Sequence, residues 1–182
     1  MKTTRHLAAL FLAIALIGTA APTTAQASAR ARLLDRLNHV RAVHGLPAVH
    51  GARSLRAAAS RHSHDMLARD YFAHTSPTGS TLYHRITGSG FVDGYAWRGG
   101  ETLGWGTTGV ATPRWTVHAW MHSSQHRDIL LSPTFRWIGI SRTCGRFKHH
   151  SNACVWTRTG CGDPGSLAPC RGTAASRTPS AS

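Results

Sequence analysis

Residues 120–132 constrain the fold more than any other part of the sequence. They read WMHSSQHRDILLS, so an amphipathic helix breaks at Ser123-Ser124 and a new turn begins at His126. Such a break between two apolar stretches places its polar residues at the edge of a core. A histidine in this position is typical of a pocket.

Two earlier segments also set polar residues among apolar ones. Residues 71–77 (YFAHTSP) contain His74, and residues 99–104 (GGETLG) contain Glu101. Glu101 is one of only 7 acidic residues, and its apolar surroundings predict that it is partly buried and needs a partner. We predict that His74, Glu101 and His126 meet in one cleft. The alternative for Glu101 is a structural carboxylate that accepts hydrogen bonds from the backbone or an arginine.

Two histidines and a carboxylate suit two kinds of chemistry. They can bind a divalent cation such as Zn²⁺ and leave positions open for water. Alternatively, the carboxylate orients one imidazole while the other moves a proton, as in acid–base catalysis. The residues alone do not choose between the two.

Other histidines are expected to have simpler environments. His118 and His122 are four residues apart, a spacing that can hold zinc, but they lie opposite the apolar side of their helix and are predicted to be exposed. His62 is predicted to lie at the edge of the core and His64 in solvent. Serines adjacent to histidines occur, yet none lies in a Gly-x-Ser-x-Gly motif, so a serine hydrolase is disfavoured.

The amino terminus has the pattern of an export signal. Lys2 and Arg5 precede an apolar run at residues 7–17, and small residues follow at 25–29. The run is shorter than the ~20 apolar residues of a membrane-spanning helix, and no later segment is long enough. We therefore predict a signal peptide at residues 1–29 and a secreted protein, extracellular or associated with the cell envelope.

The chain is strongly basic, with 21 Lys and Arg against 7 Asp and Glu and a net charge of +14. Because the arginines are scattered, they are interpreted mainly as solvated surface, and affinity for an envelope polyanion or a lipid is a secondary expectation. No phosphate-binding glycine loop or specific nucleic-acid motif is present. We expect a monomer.

Four cysteines occur late in the chain, at Cys144, Cys154, Cys161 and Cys170. In an exported chain an even number predicts two disulfides, for which three pairings exist. Pairing of Cys144 with Cys154 and of Cys161 with Cys170 is favoured, since each closes a short loop. A zinc cluster is disfavoured because no Cys-x-x-Cys pair is present.

Apolar periodicity and turn residues predict helices first and strands last. The predicted helices cover residues 31–43, 55–69 (capped by Ser54), 81–87 (capped by Ser80) and 114–123 (entered through Thr112-Pro113); the predicted strands cover 95–105, 135–143 and 153–157. Strands at 135–143 and 153–157 form a hairpin through a basic loop at 145–152. One domain is predicted at residues 30–160, followed by a tail, 161–182, that is tied by a disulfide at its start and then disordered.

Five short motifs together resemble the CAP (SCP-like) superfamily, of the bacterial type, which also contains cysteine-rich secretory proteins, antigen 5 and pathogenesis-related class 1 proteins. The motifs are residues 37–41 (LNxxR), 71–77 (YFAHTSP), 100–103 (GETL), 119–130 (AWMHSxxHRxIL) and 138–140 (IGI). The resemblance covers residues 33–157. It implies an α+β fold, an α-β-α sandwich with a central antiparallel sheet.

The resemblance also implies a cleft in which His74, Glu101 and His126 match three members of a His-Glu-Glu-His tetrad. The second glutamate of the tetrad falls on Ser123, and the asparagine of the usual Gly-Glu-Asn is Thr102. These departures weaken a four-ligand metal site.

Members of the superfamily have been linked to divalent metal binding, to sterol or lipid binding and to proteolysis, and fold likeness does not choose among them. We therefore expect a secreted protein whose cleft binds a divalent cation such as Zn²⁺ or a small polar ligand, without an assigned catalytic activity. The alternatives are a metal-assisted hydrolase that uses the same cleft and a basic protein that binds polyanions or lipids.

Overall fold

The computed structural model of the 182-residue chain describes residues 24–92 and 97–162. These residues form helices and strands in a mixed order. In chain order the elements are α1 (Thr24–Val43), β1 (His50–Gly51), α2 (Arg53–Ala68), α3 (Leu82–Thr87), β2 (Arg98–Thr107), α4 (Pro113–Met121), α5 (Ser124–Leu131), β3 (Phe135–Phe147) and β4 (His150–Gly162).

The strands form one sheet with the order β1-β3-β4-β2. Strand β4 is antiparallel to both β3 and β2, whereas the two-residue β1 is parallel to β3. The predicted α+β class with a central antiparallel sheet is therefore confirmed. The short parallel edge strand β1 was not predicted, because two residues are too few to show a periodic pattern.

Helices cover both faces of the sheet, and alternation along the strands shows which residues each layer covers. On one side, here called the α2 face, the α2 residue Ser63 hydrogen-bonds the strand residues Ser141 (2.8 Å) and Thr143 (2.9 Å). On the other, the α1 face, Trp156 of β4 packs with residues from α1, α4 and α5. The predicted α-β-α sandwich is confirmed.

Helix α2 lies directly on strand β3 at Gly139. A Cβ atom built at this glycine would overlap the carbonyl carbon of Leu55 and the amide nitrogen of Arg56. Both atoms belong to helix backbone and cannot move independently. Glycine is therefore required at this position for α2 to approach the sheet.

The helix starts test the predicted caps. Thr112 caps α4 by accepting a hydrogen bond from the amide of Trp115 (3.2 Å), with Pro113 in the first turn, as predicted. The other two predicted caps are wrong. Helix α3 is capped by Thr81 rather than Ser80, and α2 begins at Arg53, which places Ser54 inside the helix.

The turn predicted at His126 is a two-turn helix, α5, which begins directly after Ser123. The amide of Arg127 donates to the carbonyl of Ser123 (2.8 Å), so helical hydrogen bonding resumes immediately after the break. His126 consequently lies in the first turn of α5. The predicted break at Ser123-Ser124 is correct, and only the length of the element after it was underestimated.

Strands β3 and β4 extend further than predicted. The loop predicted at 145–152 is a tight turn at Lys148 and His149, which have φ of 47° and 67°. Two consecutive turn residues with positive φ give a turn whose twist matches the right-handed twist of the paired strands. The carboxylate of Asp70 accepts a hydrogen bond from the amide of Lys148 (2.7 Å) and ties this turn to the end of α2.

The hairpin contains the predicted disulfide. Cys144 and Cys154 are directly opposite each other in the register and are bonded. Cys161 is also disulfide-bonded. Its predicted partner, Cys170, lies outside the described residues, as do residues 1–23 of the predicted signal peptide and residues 163–182 of the predicted tail.

Three arginines do not belong to the solvated surface. Arg41, Arg85 and Arg158 are all buried. The interpretation of arginine as surface charge is therefore wrong for these three, and each occupies a different environment. No helix within residues 24–92 and 97–162 is long and apolar enough to cross a membrane.

Candidate ligand-binding cleft

The candidate site is built around Glu101, which points from β2 into the α2 face of the sheet. Only 1% of its side chain is exposed. Arg85 of α3 donates from Nη2 to both carboxylate oxygens, at 3.0 Å each. This ion pair neutralises a carboxylate that burial alone would penalise. The alternative considered from sequence, a carboxylate that accepts hydrogen bonds from an arginine, therefore describes Glu101 correctly.

His74 contacts the same carboxylate from the loop between α2 and α3. Its Nδ1 lies 2.9 Å from Oε1 of Glu101, while 56% of its side chain is exposed. Because the carboxylate accepts, Nδ1 carries the proton, and Nε2 remains the ring nitrogen available to solvent or a ligand. An exposed imidazole is thus oriented by a buried acid.

Arg85 also holds the loop that carries His74. It donates from Nη2 to the carbonyl of His74 and from Nη1 to the carbonyl of Ser80, both at 2.8 Å. One side chain thus fixes the backbone of His74 and the carboxylate that orients its ring. Arg85 is the positioning residue of this cleft.

His62 of α2 completes the buried side of the cleft. Its Nε2 donates to the carbonyl of Ala73 (3.0 Å) and lies 3.7 Å from Oε1 of Glu101. Burial lowers the pKa of His62, an effect that the negative charge of Glu101 partly opposes. The neutral imidazole is therefore favoured, and it supports the backbone next to His74.

His126 lies in the first turn of α5 and is half-buried. Its pKa is lowered first by burial and second by the positive charge of His74. The two imidazoles are therefore close enough to interact electrostatically, and His126 is favoured as the neutral form. The structure thus places His74 in direct contact with Glu101, and His126 near His74.

The arrangement limits what a metal ion could bind. Across residues 24–92 and 97–162, no group of three or more His, Cys, Asp or Glu side chains is arranged to hold a metal. Arg85 donates to both oxygens of Glu101, so this carboxylate already has a counter-charge. Ligation of a metal by Glu101 itself stays a prediction, and the ion pair argues against it.

Sequence reasoning missed two members of this cleft. Arg85 was not singled out, although it shares a helical face with the apolar residues Leu82 and Ile86, and a charge on such a stripe is a signal of a buried partner. His62 is buried, as predicted for the edge of the core, but its proximity to Glu101 was not predicted. That contact depends on long-range packing of α2 against β2.

The remaining histidines agree with the predictions. His118 and His122 are exposed on α4, with ring centroids 4.0 Å apart, and His64 is exposed on α2. The pair on α4 therefore lies on a surface separate from Glu101.

Helices on both faces of a central, mainly antiparallel sheet, together with a histidine that contacts a buried glutamate, are the features by which this chain can be compared with known families. A profile of the CAP family, described as "Cysteine-rich secretory protein family", matches residues 34–157. The chain is a member of the CAP family. The resemblance found from the five sequence motifs is confirmed.

A bacterial relative matches most of the chain. The "Uncharacterized protein YkwD" of Bacillus subtilis (strain 168) is 29% identical over 140 residues, which are 77% of this chain and 49% of that protein. The chain thus spans about half the length of this relative.

Two solved structures share the fold. An extracellular protein containing a SCP domain from Bacillus anthracis str. Ames has a TM-score of 0.62 at 22% identity, and the match covers 78% of this chain and 44% of that one. An outer surface protein from Borrelia burgdorferi has a TM-score of 0.59 at 19% identity, and that match covers 72% of this chain and 90% of the other. These structural neighbours are extracellular or outer-surface proteins.

Proposed function

We propose that this chain is a secreted CAP-domain protein whose cleft binds a divalent cation or a small polar ligand through His74 and His126. The main support is the contact between the buried carboxylate of Glu101 and Nδ1 of the exposed His74, at 2.9 Å. Imidazoles that ligate metals almost always donate their other ring N–H to a carboxylate, a backbone carbonyl or water, and Glu101 can play this part for His74. The same contact also presents Nε2 to a ligand that needs one hydrogen-bonding partner.

The protonation state of His126 supports the same proposal. Only a neutral imidazole can ligate a metal or accept a hydrogen bond. Burial is the main cause that lowers the pKa of His126, and protonation of His74 would lower it further, so the neutral form of His126 is available at neutral pH. Two imidazoles supply part of a zinc coordination sphere, and water or a small ligand would supply the rest.

Zinc titration by calorimetry tests the proposal. We expect wild type to bind Zn²⁺ and His74→Ala/His126→Ala to lose that binding. The matched control is His118→Ala/His122→Ala, which removes an exposed pair on α4 that could itself attract zinc. Binding lost only in the control variant would assign the zinc to α4 and contradict a metal in the cleft.

Polyanion binding is a second candidate function, supported by a separate surface. Arg30, Arg53 and Arg56 line a cavity of about 400 Å³ between α1 and the start of α2. Burial and the positive charge of Arg56 both lower the pKa of Arg30, which shows that the two guanidinium groups lie close together. Binding of the chain to inorganic polyphosphate should weaken in Arg30→Gln/Arg56→Gln and fall steeply with salt. Equal weakening in Arg32→Gln/Arg36→Gln would show that only net charge matters.

A further inference from the structure

Arg158 is a charged side chain in the middle of the sheet's central strand. It is fully buried, and it points to the α1 face together with Trp156. Its strand neighbours are Ile140 on β3 and Thr102 on β2. A guanidinium at the centre of a core normally requires a carboxylate or several carbonyls within reach.

None of the nitrogens of this guanidinium has a hydrogen-bond partner among the described residues. Nε, Nη1 and Nη2 of Arg158 are all buried and unpaired. Within the same part of the chain, the salt bridges involve other groups, and Glu101 lies on the opposite face with Arg85. The guanidinium lies over the ring of Phe135 at 5.1 Å, a cation–π contact that returns only part of the cost of burial.

A second buried arginine adds to the uncompensated positive charge around Arg158. Arg41 of α1 donates to the carbonyls of Pro47, Leu130 and Ser132, yet its Nη2 has no partner among the described residues. Burial and the charge of Arg41 lower the pKa of Arg158 to about 9, so Arg158 remains protonated at neutral pH. Two positive charges therefore lie near each other in the core, and the described chain places no acid between them.

The unpaired groups are all potential donors. Besides the two guanidinium groups, the hydroxyl of Thr102, next to Arg158 in the sheet, is buried without a partner in the described part of the chain. Glycine at position 160 allows the guanidinium of Arg158 to lie against strand β4, since a Cβ atom there would be only 2.7 Å from Nη1. Each of these groups has an N–H or O–H to donate, and a ligand that only accepts hydrogen bonds can satisfy all of them.

We infer that a small monovalent anion of the halide class binds between Arg158, Arg41 and Thr102 inside the α1 face. A halide accepts from several donors at once, carries the single charge that this pocket needs and leaves no donor of its own to satisfy. A multiply charged oxyanion such as phosphate is too strongly hydrated to enter a core that offers so few donors. The anion would be a structural component of the fold, separate from the cleft at His74.

Crystals of the full chain grown in sodium bromide test the inference directly. We expect an anomalous bromine peak within hydrogen-bonding distance of the Arg158 guanidinium. Ordered water alone in that place, or a carboxylate of this chain paired with Arg158, would overturn the inference. This experiment needs no variant, so it decides the question even if a substitution at Arg158 prevents folding.

Thermal melting in solution gives a second test. At equal ionic strength, wild type should melt about 2–4 °C higher in sodium bromide than in sodium gluconate, whose anion is too large to enter. Arg158→Met should lose this difference. The matched control is Arg142→Met, since Arg142 lies over Trp156 on the same face at 5.6 Å but is partly exposed, and it should keep the difference. An unchanged bromide effect in Arg158→Met would contradict the inference.

Discussion

Arg85 and Arg158 are both buried arginines, and they lie on opposite faces of one sheet. Arg85 donates to Glu101 and to two backbone carbonyls, so its charge organises the cleft around His74. Arg158 has no hydrogen-bond partner within the described chain. The comparison teaches that a buried charge can position a site only where the fold also supplies its counter-charge. For Arg158 the described residues supply none, and the proposed anion would take that place.

Replacing each of the two arginines should change the free energy of unfolding in opposite directions. Breaking a buried ion pair leaves the other charge uncompensated, whereas replacing an unpaired buried charge by an apolar side chain removes a cost. Two variants test this contrast directly, and a third measurement tests the histidine that lies beside Glu101.

Arg85→Met should have the largest effect, a loss of about 3–5 kcal/mol in the free energy of unfolding, because Glu101 remains buried without its arginine. Urea denaturation measures the loss. The double variant Arg85→Met/Glu101→Gln should lose less than the sum of the two single changes, since neither charge is then left alone. A loss below about 1 kcal/mol in Arg85→Met would show that His74 and water compensate Glu101 fully.

Arg158→Met should have the opposite sign in buffers that contain no halide. Because the substitution removes an unpaired buried charge and keeps an apolar stem over Phe135, we expect a gain of about 1–4 kcal/mol in the free energy of unfolding. Urea denaturation in gluconate buffer measures the gain. A clear loss of stability there would mean that Arg158 is already compensated within the chain, and the contrast with Arg85 would not hold.

Lowering the pH should reduce the free energy of unfolding, because His62 is buried on the α2 face in its neutral form. Burial lowers the folded-state pKa of His62, so its contribution is complete above the unfolded pKa of about 6.5 and is lost as pH falls towards the folded pKa. The slope cannot exceed about 1.4 kcal/mol per pH unit for this one proton. Melting temperatures between pH 7.5 and 5 should fall less in His62→Asn than in wild type. The control is His64→Asn, an exposed neighbour on α2, which should behave as wild type does.

Local chemistry was predictable from sequence where a short segment determines its own structure. Thr112-Pro113 starts α4 as expected, and the close spacing of Cys144 and Cys154 indicated their disulfide. The caps of α2 and α3 were misplaced by one or two residues, because neighbouring serines and threonines have similar capping ability.

The candidate site was predictable only in part. The unusual setting of Glu101 among glycines and apolar residues indicated a buried acid, and the contact with His74 followed from the resemblance to the CAP family. Arg85 and Arg158 were not predictable in the same way. The predicted strand at 153–157 ended just before Arg158. Arg85 does lie on the apolar face of its helix, but that local signal does not identify its partner. The burial of both arginines depends on elements packed from distant parts of the chain.

The geometry of the cleft depends on Gly139, a residue that contributes no chemical group to it. Leu55, which lies against this glycine, is seven residues before His62 on α2, about two helical turns. A methyl group at position 139 would lift the near end of a stiff helix and tilt its far end, carrying His62 away from Ala73 and Glu101. The missing side chain of one strand residue thus sets the height of α2 over the sheet, and with it the position of His62 beside the carboxylate that orients His74.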